Sequence, residues 1–281
     1  MASSSVFETK NTKPRGSSEP TLLRLPIFIL SLAFSSQTET YRRRAQKRHL
    51  GDKMSWTRRG FIASTLAFSA KPSFAETTVV RTPGYPWVVT LPNAPSGVAL
   101  TFDDGPHPDH TPRLLDILGN EGVKATFFLI GRSVAAYPQI ARQIVEQGHE
   151  VGNHTWNHPF LAEMPFASVL SEIDRTNRII EDTTGKSPHV FRPPYGSFTG
   201  RQSARLAVER GMTTVFWSVD PHDWRRPGPD EVARRILQMA RPGSIILTHD
   251  IHWGTVAAMP ATIAGLRARN LATTLVSPTL A

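Results

Sequence analysis

The sequence predicts an α/β domain built on a mostly parallel sheet, and three observations lead to this prediction. Short apolar or β-branched runs alternate with amphipathic segments from about residue 95 onward. Such alternation is typical of strands joined in parallel by helices. The length of 281 residues suits one sizeable domain with a tail, and 40% apolar with 20% charged residues is a globular composition. Periodicity leaves open whether the sheet is doubly wound or closed as a barrel.

The individual elements follow from local patterns. Strands are predicted at residues 98–102, 125–129, 190–191, 213–219, 244–247 and 273–276, where apolar and β-branched residues dominate. Helices are predicted at residues 138–147, 168–182, 230–239 and 255–268, where apolar residues recur on one helical face. Pro138 suits a first helical turn, and Gly148 suits a stop after the last turn.

The net charge of +9 belongs to the N-terminal segment. Residues 1–75 hold 13 basic and 4 acidic residues, whereas residues 76–281 hold 19 of each. A neutral folded part lacks the basic surface that binding to phosphate backbones requires, so we expect no nucleic-acid partner. The chain has no cysteine, which excludes disulfides, thiolate metal ligands and thiol catalysis.

An export signal is predicted at residues 54–75. The arginine pair in "MSWTRRGFIASTLAFSA" resembles a twin-arginine signal, and "SFA" at 73–75 resembles a small-x-small cleavage site. The apolar stretch is only about half of the roughly 20 residues that span a bilayer. We therefore expect cleavage near Ala75 and release to the periplasm or the outside, with no stable membrane insertion.

The signal divides the chain into five predicted segments. Residues 1–53 are predicted to be a disordered basic segment, with Met54 as the hypothetical true start and a functional basic tail as the alternative. The signal at 54–75 is followed by a Pro-rich lead-in at 76–94. The catalytic domain is predicted at 95–276, and a short tail at 277–281.

Unusual polar clusters follow the predicted strands, where α/β folds collect functional groups. His154 and His158 are spaced i, i+4, which on a helical turn would place both imidazoles within reach of one ion. Thr155 stands where H-E-x-x-H enzymes have their glutamate, so the pattern differs from theirs. Two histidines and a carboxylate would make a three-ligand catalytic metal site. Asp104 is the candidate ligand, and Asp103 would be free to accept a proton from water.

Five motifs in order, "TFDDGP" (101–106), "HTWNHP" (154–159), "RPPYG" (192–196), "DW" (223–224) and "LTH" (247–249), resemble those of the polysaccharide deacetylases. This is carbohydrate esterase family four, and the resemblance covers about residues 95–276. It implies a distorted (β/α) barrel of mostly parallel strands as the single catalytic domain. It also implies metal-dependent hydrolysis of an N-acetyl or O-acetyl group on a sugar, so that the partner would be an acetylated glycan.

The resemblance also assigns roles to the matching residues. Asp103 would be the general base with Arg192 orienting it, and His249 would be the general acid paired with Asp223. The backbone N–H of Tyr195 would help to stabilise the oxyanion. The divalent metal would be Zn²⁺, with Co²⁺ or another divalent ion as alternatives. Its ligands would be Asp104, His154 and His158, and the pocket for the acetyl methyl would be formed by Pro194, Tyr195, Trp224 and Leu247.

Several alternatives stay open at this point. The substrate could be GlcNAc in chitooligosaccharide or peptidoglycan. Alternatively, the chain could be an O-acetyl esterase on xylan or another acetylated polysaccharide, or a catalytically weak carbohydrate-binding homologue. Asp220 could exchange roles with Asp223 or cap a turn. We expect a monomer. The remaining histidines are expected to be structural or peripheral: His107, His110, His149, His189, His222 and His252. His222 and His252 lie close to the motifs and could line the active-site cleft.

Overall fold

The structure is a computed structural model that describes residues 87–280. The basic segment 1–53, the signal 54–75 and most of the lead-in lie outside the described residues. The strands are β1 Trp87–Val88, β2 Gly97–Asp103, β3 Thr126–Leu129, β4 Glu150–Asn153, β5 Val190–Phe191, β6 Thr213–Val215, β7 Ile245–His249 and β8 Ala272–Thr273.

Seven α-helices pack around these strands within the described range. They are α1 His110–Asn120, α2 Gly131–Ala136, α3 Pro138–Glu146, α4 Phe166–Thr184, α5 Gly200–Arg210, α6 Pro229–Met239 and α7 Trp253–Ala268. Short 3₁₀ turns occur at Pro194–Gly196, Asp223–Arg225 and Ser277–Thr279. Across residues 87–280, no helix is both long enough and apolar enough to cross a bilayer.

The sheet is parallel and curled into a distorted barrel. The strand order is β1-β6-β5-β4-β3-β2-β7, with β8 on β2, and every named strand pair is parallel. A parallel bridge from Val219 to Ile246 connects the chain beyond β6 to β7, which brings the two sides of the sheet together. The predicted fold, a single domain with a distorted (β/α) barrel, is confirmed. All strands that carry polar clusters therefore end at the same edge.

Burial of the central strands on both faces explains why their sequences are continuous apolar runs. Every residue of β2 is buried, because a parallel strand between layers is covered on both faces. The rings of Phe102 and Phe127 pack at 5.2 Å between centroids, and both are fully buried. Burial of each such side chain stabilises the fold by about 2–3 kcal/mol. Gly265 allows α7 to approach α6, because a Cβ there would collide with Leu237.

The sequence patterns missed several elements for local reasons. β4 has the sequence EVGN, in which a glycine and two polar residues hide the strand signal. α5 begins with a capping box in which Thr199 and Gln202 exchange hydrogen bonds, a signal the apolar pattern does not contain. The predicted strand 213–219 ends at Val215, and the predicted strand 273–276 shortens to Ala272–Thr273.

Segments on both sides of the predicted domain contact the barrel. β1 lies in the Pro-rich lead-in and pairs with β6, so that Trp87 lies opposite Thr214. Leu91 is buried in the core. Asn93 Nδ2 donates a hydrogen bond to the carbonyl oxygen of Thr279 at 3.1 Å. The two flanking segments are thus connected to each other as well as to the sheet.

Candidate active site and metal centre

Two aspartates end β2 and lie beside the same histidine. Asp103 is the last residue of β2 and is buried, whereas Asp104 has a φ of 77°. Successive side chains in a regular strand point to opposite faces, and the left-handed backbone at Asp104 breaks that alternation. As a result, His154 Nε2 lies 3.8 Å from Asp103 Oδ2 and 3.5 Å from Asp104 Oδ1.

His154 and His158 come together in a loop and not in the helical turn that their spacing would also allow. β4 runs to Asn153, and the chain then turns through Thr155 and His158 with φ values of 65° and 62°. Asn153 Oδ1 accepts from the Thr155 N–H at 2.8 Å, and Thr155 Oγ1 accepts from the His158 N–H at 3.1 Å. These local bonds replace those of a helix and leave the two imidazole centroids 4.9 Å apart.

Asp104, His154 and His158 could hold a metal ion. One ligand atom from each lies within 4.8 Å of the others. His158 Nε2 is 3.2 Å from Asp104 Oδ1. Burial acts to raise the pKa of Asp104, but its interactions with His158, His154 and His249 hold it well below its ordinary value. A carboxylate with two imidazoles is a donor set that suits a divalent cation and leaves positions open.

A contact with a backbone carbonyl orients the His154 ring toward Asp104. Its Nδ1 lies 2.7 Å from the carbonyl oxygen of Arg192, which can only accept a hydrogen bond. Nδ1 therefore carries the proton, and the lone pair of Nε2 faces Asp104.

Glu172, on α4, stabilises the loop that carries His154 and His158, called here the histidine loop. The sequence patterns did not identify this glutamate. Its carboxylate accepts hydrogen bonds from the N–H groups of Trp156 and Asn157, at 3.0 and 2.8 Å, and from Asn157 Nδ2 at 2.8 Å. Arg175, also on α4, lies 3.6 Å above the Trp156 ring. The part of the loop between the two histidines is therefore attached to a rigid helix.

We expect Glu172→Ala to weaken the binding of a divalent cation, tested with Zn²⁺, about 10- to 100-fold, the usual effect of losing a group that orients metal ligands. The loop would lose three acceptor contacts while both histidines remain. Zinc affinity is measured by calorimetric titration. Glu181→Ala, at an exposed site on the same helix, is the matched control. Equal affinities in the two variants would contradict a positioning role for Glu172.

Asp103 is held by a buried arginine. Arg192 Nη1 donates to Asp103 Oδ1 at 2.7 Å and to Thr101 Oγ1 at 2.6 Å. The carbonyl oxygens of Val215 and Phe216 accept from its Nε and Nη2 at 3.3 and 3.1 Å. Burial lowers the pKa of Arg192, while the adjacent Asp103 acts to raise it. The guanidinium is fixed from β2 and from the end of β6, so it orients the Asp103 carboxylate.

His249 and Asp223 form a second charged pair. His249 Nδ1 lies 2.8 Å from Asp223 Oδ1, and the His249 backbone N–H donates to Asp223 Oδ2 at 2.7 Å. Thr255 Oγ1 also donates to Asp223 Oδ2 at 2.6 Å. Burial acts to lower the pKa of His249, but attraction and hydrogen bonding to Asp223 raise it to about 10. His249 is therefore protonated at neutral pH and loses its proton as the pH rises through about 10.

The structure shows whether Asp220 or Asp223 pairs with His249. Asp220 Oδ1 accepts from the His222 backbone N–H at 2.8 Å and lies 3.0 Å from His222 Nδ1. Asp223, and not Asp220, therefore contacts His249.

The four predicted pocket residues lie in chain segments that also carry, or directly adjoin, these groups. Tyr195 has a φ of 60° in the turn Pro194–Gly196, and its ring centroid is 4.5 Å from that of His158. Phe160 stacks on Tyr195 at 4.0 Å. Pro194 is buried. Leu247 is buried on β7 two residues before His249, and Trp224 directly follows Asp223.

The other histidines take no direct part in these pairs. His107 and His110 stack on each other at 4.2 Å. His149 is buried, accepts a hydrogen bond from the Ala125 N–H, and has its pKa lowered to about 4 by burial and by Lys124. The His252 ring lies 6.0 Å from that of His249, at the edge of the site.

Asp250 is a further buried carboxyl beside the site, and the sequence patterns assigned no role to it. Thr111 Oγ1 donates to Asp250 Oδ2 at 2.5 Å, and burial raises the pKa of Asp250 to about 7. The carboxyl packs under Gly105, where any Cβ would collide with it. The turn that follows Asp104 thus requires glycine at this position.

Comparisons with known proteins show which family the chain resembles. A family model described as polysaccharide deacetylase matches residues 91–215. The chain is 38% identical over 190 residues to the peptidoglycan-N-acetylglucosamine deacetylase PgdA of Listeria monocytogenes, which covers 66% of this chain but 40% of that protein. It is 42% identical over 180 residues to the chitooligosaccharide deacetylase of Azorhizobium caulinodans, covering 61% of this chain and 85% of that protein.

Solved structures of related proteins also align with this chain. The crystal structure of the Bc1960 peptidoglycan N-acetylglucosamine deacetylase aligns with a TM-score of 0.67 and 35% identity, over 69% of this chain and 92% of that one. BA3943 from Bacillus anthracis, described as a CE4 family pseudoenzyme, aligns with a TM-score of 0.64 and 34% identity, over 68% of this chain and 66% of that one.

Proposed function

Because the chain belongs to the polysaccharide deacetylase family, we propose that it removes N-acetyl groups from GlcNAc-containing glycans with the help of a divalent metal. The observation that carries this proposal is the arrangement of three groups at one edge of the barrel. The Asp104, His154 and His158 cluster adjoins the Asp103–Arg192 pair. The His249–Asp223 pair lies close enough for both aspartates to raise the pKa of His249.

The chemistry of amide hydrolysis assigns a task to each group. A divalent cation bound by Asp104, His154 and His158 would act as a Lewis acid that polarises the carbonyl and acidifies water. Asp103 takes the proton of the attacking water, with its carboxylate held by Arg192. Water oxygen bonds to the carbonyl carbon, and the carbon–nitrogen bond breaks as His249 donates its proton to nitrogen. The products are acetate and the free amine.

Other residues serve the transition state and the acetyl group. The backbone N–H of Tyr195 donates toward the developing oxyanion, a task that rigid backbone donors perform well. Asp223 keeps His249 protonated near neutral pH and fixes its ring. Pro194, Tyr195, Trp224 and Leu247 enclose the acetyl methyl, so that only a small acyl group fits.

The choice of an N-acetyl substrate is supported by the names of the relatives. The two curated relatives described above are named as deacetylases of peptidoglycan N-acetylglucosamine and of chitooligosaccharide. An amide also needs the acid more than an ester does, because an amine leaves poorly unless it is protonated. A protonated histidine beside the site suits that requirement.

The metal, the location and the assembly state are further parts of the proposal. Zn²⁺ is the proposed ion, since imidazole and carboxylate ligands suit it. Export to the periplasm or the outside rests on the signal predicted at residues 54–75. A monomer is proposed, with an acetylated envelope or extracellular glycan as the partner.

The test is acetate release by the purified full chain from GlcNAc oligosaccharides, peptidoglycan fragments and acetylated xylan. We expect release from the GlcNAc substrates, its loss after chelation, and its recovery with Zn²⁺. An unchanged rate in chelated protein from which metal analysis shows the ion to be gone would refute the metal requirement. Acetate from xylan alone would favour the O-acetyl esterase instead.

A further inference from the structure

We propose that Asp250 and Thr111 are positioning residues, which together hold the turn after β2 and thereby fix the direction of the Asp104 carboxylate. Asp250 directly follows His249 at the end of β7, and Thr111 is the second residue of α1. The inference rests on the proposed function, because it concerns how the proposed metal site is built and how that site is placed relative to His249.

The ends of β2 and β7 lie side by side in a fixed register. Asp103 pairs with His249 across the two strands, so the residues that follow, Asp104 and Asp250, leave the sheet at the same level. A hydrogen bond from Thr248 Oγ1 to a carbonyl oxygen of β2, at 2.7 Å, connects the two strands further. The register therefore brings Asp250 to the turn that carries Asp104.

The Asp250 carboxyl supports this turn at Gly105. A Cβ added at Gly105 would collide with both carboxyl oxygens of Asp250, so the bare glycine packs directly against the carboxyl. The Gly105 carbonyl oxygen also accepts a hydrogen bond from the Ile130 N–H at 3.0 Å. Asp104 precedes Gly105 and has a left-handed φ of 77°, which few residues adopt unless their surroundings fix it. A shift of the turn would therefore rotate the Asp104 carboxylate.

Thr111 connects the Asp250 carboxyl to the far end of the same turn. Its Oγ1 accepts a hydrogen bond from the His107 N–H at 2.7 Å and donates one to Asp250 Oδ2 at 2.5 Å. The Thr111 N–H donates in return to the His107 carbonyl oxygen at 3.3 Å. Thr111 and Asp250 are both fully buried, one on a helix and one directly after a strand. These bonds therefore attach the turn to two rigid elements, as a precise site requires.

The second oxygen of Asp250 indicates that stability alone does not explain this residue. Among residues 87–280, Asp250 Oδ1 is buried and has no hydrogen-bond partner. A buried polar atom without a partner destabilises a fold, and burial also raises the pKa of this carboxyl, which means that it disfavours the charged form. Such a group is expected beside a functional site and not in a part of the core that only stabilises the fold.

The position of Asp104 affects two properties of the site. His154 Nε2 and His158 Nε2 lie 3.5 and 3.2 Å from Asp104 Oδ1, so the carboxylate completes the candidate metal site in this orientation. Asp103 is the preceding residue, and a cation that moved with Asp104 would change its distance from the proposed base. We therefore expect loss of the support under the turn to weaken cation binding and to slow turnover even at saturating cation.

The main experiment compares Thr111→Val with Thr262→Val in the full chain. Valine keeps the shape of threonine and removes the hydroxyl that contacts Asp250. Thr262 is an equally buried threonine on α7, and its hydroxyl donates within that helix, to the Ala258 carbonyl oxygen at 2.8 Å. Tm measures the purely structural effect, which should be similar in both variants. Zn²⁺ affinity of metal-free protein, from calorimetry, and kcat and KM on a chitooligosaccharide at saturating Zn²⁺ measure the positioning effect.

We expect Thr111→Val to bind Zn²⁺ about 10- to 100-fold more weakly than wild type and to lower kcat at saturating Zn²⁺ by about tenfold or more, with KM changed less than about twofold. Thr262→Val should match wild type in all three quantities. Thr111→Ser keeps the hydroxyl and should stay within about threefold of wild type, because serine can make the same hydrogen bonds. Equal Zn²⁺ affinity and equal kcat in Thr111→Val and Thr262→Val would overturn the proposal.

Variants of Asp250 test the same support and decide the matter if Thr111→Val fails to fold. Asp250→Asn keeps the size of the side chain and an oxygen that accepts from Thr111, so its Zn²⁺ affinity and kcat should stay within about threefold of wild type. Asp250→Ala removes both this acceptor and the packing against Gly105, and its losses should equal or exceed those of Thr111→Val. Equal losses in Asp250→Asn and Asp250→Ala would show that the charge matters and not the support, which would overturn the proposal.

The proposed function can fail separately from this inference. If the wild-type chain released no acetate from any GlcNAc substrate, the deacetylase proposal would fail, and the Zn²⁺ affinities would still decide the inference. If the wild type bound no Zn²⁺, the imidazole nitrogen chemical shifts of His154 and His158 in metal-free protein would decide it, because both rings lie beside Asp104. Shifts that change in Thr111→Val and stay unchanged in Thr262→Val support the inference, and unchanged shifts in both variants overturn it.

Discussion

Asp103→Asn is expected to lower kcat about 10²- to 10⁴-fold, the range associated with loss of a general base. The amide cannot accept a proton from water, but its oxygen can still accept the hydrogen bond from Arg192 Nη1. The proposed metal ligands Asp104, His154 and His158 remain in place. Zinc affinity should therefore stay within a few fold of wild type while turnover is lost.

The measurement combines acetate release with zinc titration and thermal unfolding of the same preparation. Removing the Asp103 charge leaves Arg192 buried without a counter-ion, which destabilises the fold by about 3–5 kcal/mol. Asp116→Asn, at an exposed position on α1, controls for the amide substitution itself. A folded Asp103→Asn protein that has lost zinc would show that the two aspartates have exchanged roles.

His154→Ala is expected to lose zinc binding and activity together. The variant removes one of three ligands, so the affinity should fall by more than the roughly 10- to 100-fold typical of residues that only orient a ligand. The His154 ring also satisfies the Arg192 carbonyl oxygen, and its loss leaves that acceptor without its partner. Zinc per chain, measured by elemental analysis, and acetate release at saturating zinc are the two readouts.

His189→Ala is the matched control for this variant, because His189 is an exposed histidine. Its zinc content and rate should equal those of wild type. Wild-type zinc content in His154→Ala would contradict the assignment of His154 as a ligand. Activity that returns at high zinc concentration would indicate that the remaining two ligands suffice to hold the ion.

The predictions from the sequence match the structure best where a single pattern of apolar residues determines a strand. Central strands buried on both faces read as continuous apolar runs, so β2 and β5 were predicted within two residues of their observed ends. Because the strands are parallel, polar residues just beyond them meet at one edge, which made the clustering of Asp103, Asp104 and His249 predictable.

The local conformation of the histidine loop was not predictable in the same way. A spacing of four residues is consistent with a helical turn and with a tight loop, and both bring the rings together. The choice depended on Asn153 and Glu172, whose hydrogen bonds stabilise the loop. Glu172 lies fourteen or more residues from both histidines along the chain, so no short motif connects them.

The sequence by itself determined the fold class, the five motifs and the residue types that the chemistry requires, because these depend on periodicity and on identities close together in the chain. Only the tertiary structure decided that Asp223 rather than Asp220 contacts His249. It also revealed Thr255 and Asp250 beside the site. Contacts across the barrel depend on how loops from different strands pack together, and no local pattern in the sequence indicates that packing.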